Sequence, residues 1–217
     1  MTHSLEVDSI QLAFNGRSIL TSVYLRCETG KIVGILGRNG QGKSCLMKII
    51  YGTLKCESSI RLDKSSENDK LSDPFCITYL PQFNFVPKKL SVKRILEDFE
   101  LDYIAFEKKF PEFSTRFCSA VGSLSGGELR ILELYIVAKS KSYFSMFDEP
   151  FTHLNPRQIE KAKELLHEVK ESKGVIVTDH MYKDIVEVSD SLYVLSNGVT
   201  YLTKEIKDIE RLGYARL

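Results

Sequence analysis

The 217-residue chain has no surplus of charge: 30 Lys and Arg stand against 29 Asp and Glu, a net of +1. That balance argues against a dedicated nucleic-acid binder, which would present a strongly basic face, and no nucleic-acid partner is expected. No apolar run approaches the roughly 18 residues of a bilayer-spanning helix, so direct membrane insertion is not expected either. The opening MTHSLEVDSIQL carries neither the basic nor the apolar region of a secretory signal, and none is read there. No internal repeat is visible. The five cysteines, Cys27, Cys45, Cys56, Cys76 and Cys118, are odd in number and never spaced C-x-x-C. They read as reduced thiols of a cytosolic chain rather than as zinc ligands or a disulfide framework.

What is present fits an ordinary globular protein, 43% apolar and 10% aromatic. The length suits one sizeable core with room for a small appended subdomain. The stretch DKSSENDKLSD (63–73) reads as a polar surface loop.

The strongest local signal begins with IVGIL (32–36), a β-branched apolar run that reads as a strand. GRNGQGKS (37–44) and then CLMKIIYG follow, giving strand, glycine loop and helix. Gly37, Gly42, Lys43 and Ser44 satisfy G-x-x-x-x-G-K-[ST]. The glycines let successive N–H groups converge on phosphate oxygens. Lys43 adds charge at the outer phosphates, and the Ser44 hydroxyl can ligate Mg²⁺. A chance glycine-rich turn is the alternative, and the strand–loop–helix context speaks against it. By itself the motif says only that a nucleoside triphosphate binds.

Two further apolar runs end in polar residues. YFSMF (143–147) leads into Asp148-Glu149-Pro150, and GVIVTDH (174–180) delivers His180. In a parallel α/β sheet, ligands gather at the carboxyl ends of strands. Asp148 there can hold Mg²⁺, and Glu149 can orient and deprotonate a water aimed at a γ-phosphate. His180 can hydrogen-bond that phosphate or position Glu149, whereas His3, His153 and His167 read as surface or packing residues. Between the two runs, Asn155 as N-cap and Pro156 in the first turn open a helix. Its apolar stripe is Ile159, Ala162, Leu165, Leu166 and Val169, and Gly174 is read as its end. The order strand–helix–strand fits a parallel crossover.

LSGGE (124–128) is a second glycine-rich loop, without a lysine, and it precedes ELRILELYIVAK, a run apolar on nearly all sides. It reads as the start of a buried helix, whose N-terminus attracts an anion. A glycine-rich cap on a buried helix would account for the glycines equally well.

The ordered set resembles the nucleotide-binding domain of the ABC ATPase family over nearly the whole chain. It comprises GRNGQGKS, Gln82 in YLPQ, LSGGE, YFSMFDEP and His180. The resemblance implies an α/β fold: a phosphate-loop NTPase core with a mostly parallel sheet, an N-terminal antiparallel β subdomain and a small helical subdomain. It implies one domain over 1–217, with catalytic core 1–81 and 125–217 and helical subdomain 82–124. It makes Glu149, His180 and Gln82 catalytic, and Ser44, Gln82 and Asp148 the Mg²⁺ set. Phe14 in LAFNGRSIL becomes the adenine-stacking aromatic. Asn39, Gly40 and Cys45 join Gly37, Gly42, Lys43 and Ser44 around ATP. Ser125, Gly126 and Gly127 reach the γ-phosphate bound to the opposite subunit of a head-to-tail dimer.

Three departures from the family pattern are visible. Glu128 replaces the commoner Gln. FTHLN follows Pro150 where a small residue and an aspartate are usual, so Asn155 is uncharged, although its amide can still cap. The stretch 83–122 is short and rich in aromatics, which implies a trimmed helical subdomain.

The resemblance implies an energy-coupling subunit that binds and hydrolyses MgATP as a homodimer, or as a heterodimer of two such domains. It would work with a separate transmembrane permease, cytoplasmic and peripheral at the inner face of the membrane. A soluble ABC-type ATPase of DNA repair or translation is the alternative; the zinc modules, coiled coils or second cassette of such proteins are not seen. A phosphate-loop kinase or transferase leaves LSGGE and Gln82 unexplained. For Phe83, Phe85 and Val86, bracketed by Pro81 and Pro87, two placements stay open: the core of the small subdomain, or an exposed surface that receives a short helix of the membrane subunit.

Overall fold

The computed structural model describes residues 2–63, 76–203 and 206–211. Most of the polar stretch 63–73 therefore lies outside the described residues. A six-stranded sheet forms the centre, in the order β10-β9-β4-β8-β7-β6. Its strands are β4 (Ile32–Leu36), β6 (Ile77–Leu80), β7 (Phe144–Asp148), β8 (Gly174–Thr178), β9 (Ser191–Ser196) and β10 (Val199–Thr203). Every pairing is parallel except β9 with β10. A second, antiparallel sheet joins β1 (Ser4–Phe14), β2 (Arg17–Leu20), β3 (Leu25–Glu28) and β5 (Glu57–Leu62). The expected mostly parallel core sheet and N-terminal antiparallel sheet are both present.

The parallel strands are buried on both faces, and side-chain alternation assigns each face its own core. Ile32, Leu36, Val175 and Val177 point to one side. There they meet α4 (Gly126–Lys139) and α5 (Pro156–Lys170). Val33, Ile35, Ile176, Phe144 and Met146 point to the other, against the antiparallel sheet and α1 (Lys43–Ile50). This layering brings the carboxyl ends of β4, β6, β7 and β8 to one edge.

The segment 82–124 holds two short helices, α2 (Val92–Asp98) and α3 (Tyr103–Lys109), capped by Ser91 and Asp102. Its aromatics explain how so few residues make a packed unit. Phe106, Phe110 and Phe113 are fully buried, and Phe106 packs its ring 4.8 Å from Tyr135 of α4. Phe83, Phe85 and Val86 divide between the two placements foreseen: Val86 is core, Phe85 is partly buried against it, and Phe83 is 64% exposed.

One expectation needs correction. Gly174 does not end the helix that Asn155 opens. Helix α5 stops at Lys170, and Gly174 is the first residue of β8. Close packing explains the glycine, since a Cβ there would lie 2.4 Å from the Phe144 ring. Asn155 caps α5 as expected, accepting the Gln158 N–H at 3.0 Å. The helix buries Ile159, Ala162, Leu165, Leu166 and Val169.

Candidate functional site

The loop between β4 and α1 is shaped for anions. Gly42 sits at φ 101°, a left-handed conformation that suits glycine, and starts α1 without any side-chain cap. The first-turn N–H groups of α1 thus have no side chain competing for them. Helices α4 and α5, by contrast, carry complete capping boxes. Lys43 is buried and donates to the Gly37 carbonyl at 2.6 Å. Burial pushes its ammonium below the usual lysine value, opposed by the carboxylates of Glu149, Asp148 and Asp179.

One cleft is lined by Phe14, Ile19, Asn39, Gly40, Gly42, Lys43, Ser44, Cys45, Gln82 and Glu149. Residues from four separate stretches of sequence therefore meet. Phe14 stands 47% exposed at the end of β1, its ring accessible at the cleft. Gln82 follows β6 and donates from Nε2 to the Glu149 carboxylate at 2.9 Å.

Asp148, the last residue of β7, is 1% exposed. Its Oδ2 accepts a hydrogen bond from Tyr79 at 3.1 Å. Burial raises its carboxyl above the usual range, while the neighbouring Ser44 and Tyr79 hydroxyls pull it back down. Oδ1 is buried with no hydrogen-bond partner among the described residues. A buried, unsatisfied carboxylate oxygen beside a serine hydroxyl and the head of a phosphate loop is a donor set that suits a hard divalent cation.

Glu149 has φ 51°, unusual for a residue with a side chain. Its N–H is tied to the Thr178 carbonyl at 2.7 Å. His180 is exposed, with Nδ1 3.1 Å from Asp179 Oδ1 and 3.8 Å from Glu149 Oε2.

Ser125, Gly126 and Gly127 do not line this cleft. They begin α4, where Ser125 Oγ accepts the Glu128 N–H and Glu128 accepts the Ser125 N–H. A Cβ on Gly127 would lie 3.0 Å from the His153 carbonyl, so glycine lets the FTHLN turn pack against the helix start. His153 is exposed on that turn, at φ 68°.

Four residues to which the sequence motifs assign no role also shape the site. Arg130, 2% exposed, donates to the carbonyls of Pro81, Asp148 and Glu149 at 2.8, 2.7 and 2.9 Å. Glu133, one turn on, accepts the N–H groups of Phe85 and Val86 at 2.8 and 3.2 Å. Burial lowers Arg130 and raises Glu133. Asp179 is fully buried and accepts the Phe151 and Met181 N–H groups at 3.1 and 3.0 Å. Tyr79 is the fourth. Arg130 and Glu133 are the two charges inside the otherwise apolar stretch 129–138, and that is the one sequence signal for them.

Residues 20–152, more than half of the chain, match the family model described as ABC transporter. Over 215 residues the chain is 27% identical to the ribose import ATP-binding protein RbsA of Bacillus cereus, covering 89% of this chain. It spans only 43% of that relative's length. It is 28% identical over 214 residues to the lipopolysaccharide export system ATP-binding protein LptB of Escherichia coli, covering 90% of this chain and 88% of LptB. Among solved structures, an ATP-binding subunit of an ABC transporter superposes with a TM-score of 0.80 at 22% identity, over 95% of this chain and 92% of that one. A bacterial Atm1-family ABC exporter with ATP bound superposes at 0.83 and 18% identity, over 97% of this chain and 40% of the exporter. At these identities the two superpositions speak for the fold.

Proposed function

Because the chain belongs to the ABC transporter family and is an ABC-type ATPase domain, we propose that it hydrolyses MgATP as the energy-coupling subunit of a transporter. The observation that carries this reading is the Glu149 carboxylate, held by Gln82 at the mouth of a cleft whose floor is the glycine loop and Lys43.

In this reading Phe14 stacks on the adenine, and the backbone of Gly37, Asn39, Gly40 and Gly42 takes the phosphates. Lys43, Ser44 and Cys45 complete the loop side. Ser44, Asp148 and the side-chain oxygen of Gln82 hold Mg²⁺, which when bound offsets phosphate charge. Glu149 accepts a proton from the attacking water. His180, its Nδ1 turned toward Asp179 and Glu149, keeps Nε2 for the γ-phosphate. Ser125, Gly126 and Gly127 serve a nucleotide on another chain, which is supported by their standing outside the lining of this chain's own cleft. Two copies, or this chain and a related one, then pack head to tail. The division into catalytic core 1–81 and 125–217 and helical subdomain 82–124 belongs to the same reading.

The partner is a separate permease, with this chain peripheral at the cytoplasmic face of the membrane. No helix among the described residues is long and apolar enough to cross a membrane. An apolar groove beside the cleft, lined by Tyr51, Phe83, Phe85 and Phe99, supports docking of a partner's short helix there. The test is MgATP hydrolysis by the purified chain, with and without the permease proposed as its partner. A chain that binds ATP but turns it over in neither setting contradicts the proposal.

A further inference from the structure

We propose that Arg130 is a positioning residue for hydrolysis: its guanidinium fixes the backbone on both sides of the Gln82–Glu149 hydrogen bond, so that the carboxylate keeps its aim. This rests on the reading of Glu149 as the base.

The geometry singles out Arg130 from an ordinary buried ion pair. Arg130 and Glu133 are three residues apart, yet their closest N–O approach is 3.8 Å. A pair held together for its own attraction would close to about 2.7–2.9 Å. Instead each group spends its best atoms on backbone. Arg130 Nη1 takes the carbonyl of Pro81, immediately before Gln82, and Nη2 takes the carbonyls of Asp148 and Glu149. Glu133 Oε1 takes the N–H groups of Phe85 and Val86, at the far end of the loop that carries Gln82. One turn of α4 thus grips both ends of that loop and the end of β7. Arg130 Nε and Glu133 Oε2 are left buried without hydrogen-bond partners among the described residues. Burying charge this incompletely satisfied is costly, and what the arrangement secures is backbone placement at the two residues that meet in the cleft.

A mechanical link follows. Arg130 lies five residues beyond Ser125 on one helix, an axial distance of about 7.5 Å. A displacement of the second glycine loop that carries α4 with it also pulls, through Arg130, on the carbonyls of Pro81 and Glu149. The Gln82 amide and the Glu149 carboxylate then shift as a unit rather than separately.

The test uses the full chain as wild type, Arg130→Gln, Arg130→Lys, Gln82→Ala and the Arg130–Gln82 double variants. It measures MgATP hydrolysis, equilibrium nucleotide binding and thermal melting. Arg130→Gln is expected to lower kcat by about 30-fold, as misplacement of a reacting group does, with nucleotide Kd within about twofold of wild type. Arg130→Lys keeps the charge and one carbonyl bond, and recovers part of the rate. Each double variant loses no more than the worse of its two parents, because both changes act on one carboxylate. Multiplied losses in the double variants, or a Kd that rises in step with the loss of kcat, would make Arg130 a general brace and overturn the proposal. If Arg130→Gln lacks a cooperative melt, Arg130→Lys and its double variant carry the same comparison. A wild-type chain that binds MgATP without hydrolysing it, alone and with the permease, refutes the reading on which this proposal rests; a hydrolysing wild type matched in rate by Arg130→Gln refutes the Arg130 assignment alone.

Discussion

Gln82 and Glu149, 67 residues apart in sequence, are joined by a 2.9 Å hydrogen bond from the glutamine amide to the carboxylate. The bond ties the loop after β6 to the end of β7, next to the glycine loop. Glu149 holds a left-handed backbone conformation at φ 51°. Such a conformation costs about 1–2 kcal/mol in a residue with a Cβ. Hydrogen bonds at both its N–H and its carbonyl hold it there.

Glu149→Gln removes the proposed base but keeps size and hydrogen-bonding reach. Hydrolysis should fall by about 10²–10⁴-fold, with ATP binding retained and an ATP-held dimer accumulating on size exclusion. Turnover near wild type would remove Glu149 from the role.

Lys43→Ala and Ser125→Arg should separate the two glycine loops. The first weakens ATP binding by the isolated chain. The second leaves that binding nearly intact and abolishes ATP-driven dimerisation. Ser125 also caps α4. Its loss should cost about 1 kcal/mol, a drop of roughly 3 °C in a domain of this size. Equal loss of monomer binding in both variants would mean that the second loop serves its own chain's nucleotide.

Phe83 and Phe85 should behave differently although they are two residues apart. Phe83 is 64% exposed, whereas Phe85 packs against the core. Phe83→Asp should change stability by no more than about 0.5 kcal/mol while weakening co-purification with the permease. Phe85→Ala should cost on the order of 2 kcal/mol, less than a fully buried phenylalanine. A Phe83→Asp variant that pairs normally with the permease places docking elsewhere.

Lys173 should make stability rise on the alkaline side. It is buried and donates to the carbonyls of Ala138 and Ser140. Burial, and then the Lys139 charge, lower its pKa from 10.5 to about 8. Between those two values the unfolded chain binds the proton that the folded chain has lost, so unfolding free energy increases with pH. Denaturant melts of wild type and Lys173→Met should therefore diverge from pH 8 to 10.5 in favour of wild type. Parallel curves would show that Lys173 titrates normally.

The sequence alone determined what depends on contiguous residues. The glycine loop after IVGIL, the Asn155 cap and the apolar stripe of α5 are legible because a few neighbouring residues dictate local backbone geometry and burial. The carboxyl strand ends were legible as well, since an apolar run followed by acids marks where a buried strand meets the sheet edge. Tertiary structure alone decided what depends on distant partners. Arg130 and Glu133 sit in a run that reads as apolar all round, and their partners are backbone groups of Pro81, Phe85, Val86, Asp148 and Glu149. Main-chain carbonyls and amides carry no residue-specific signature, so no pattern in the sequence announces such contacts. Gly174 shows the same limit from the other side. Read locally, a glycine after a helical stripe ends the helix; in three dimensions it makes room for Phe144 on the neighbouring strand, and only strand pairing determines that neighbour.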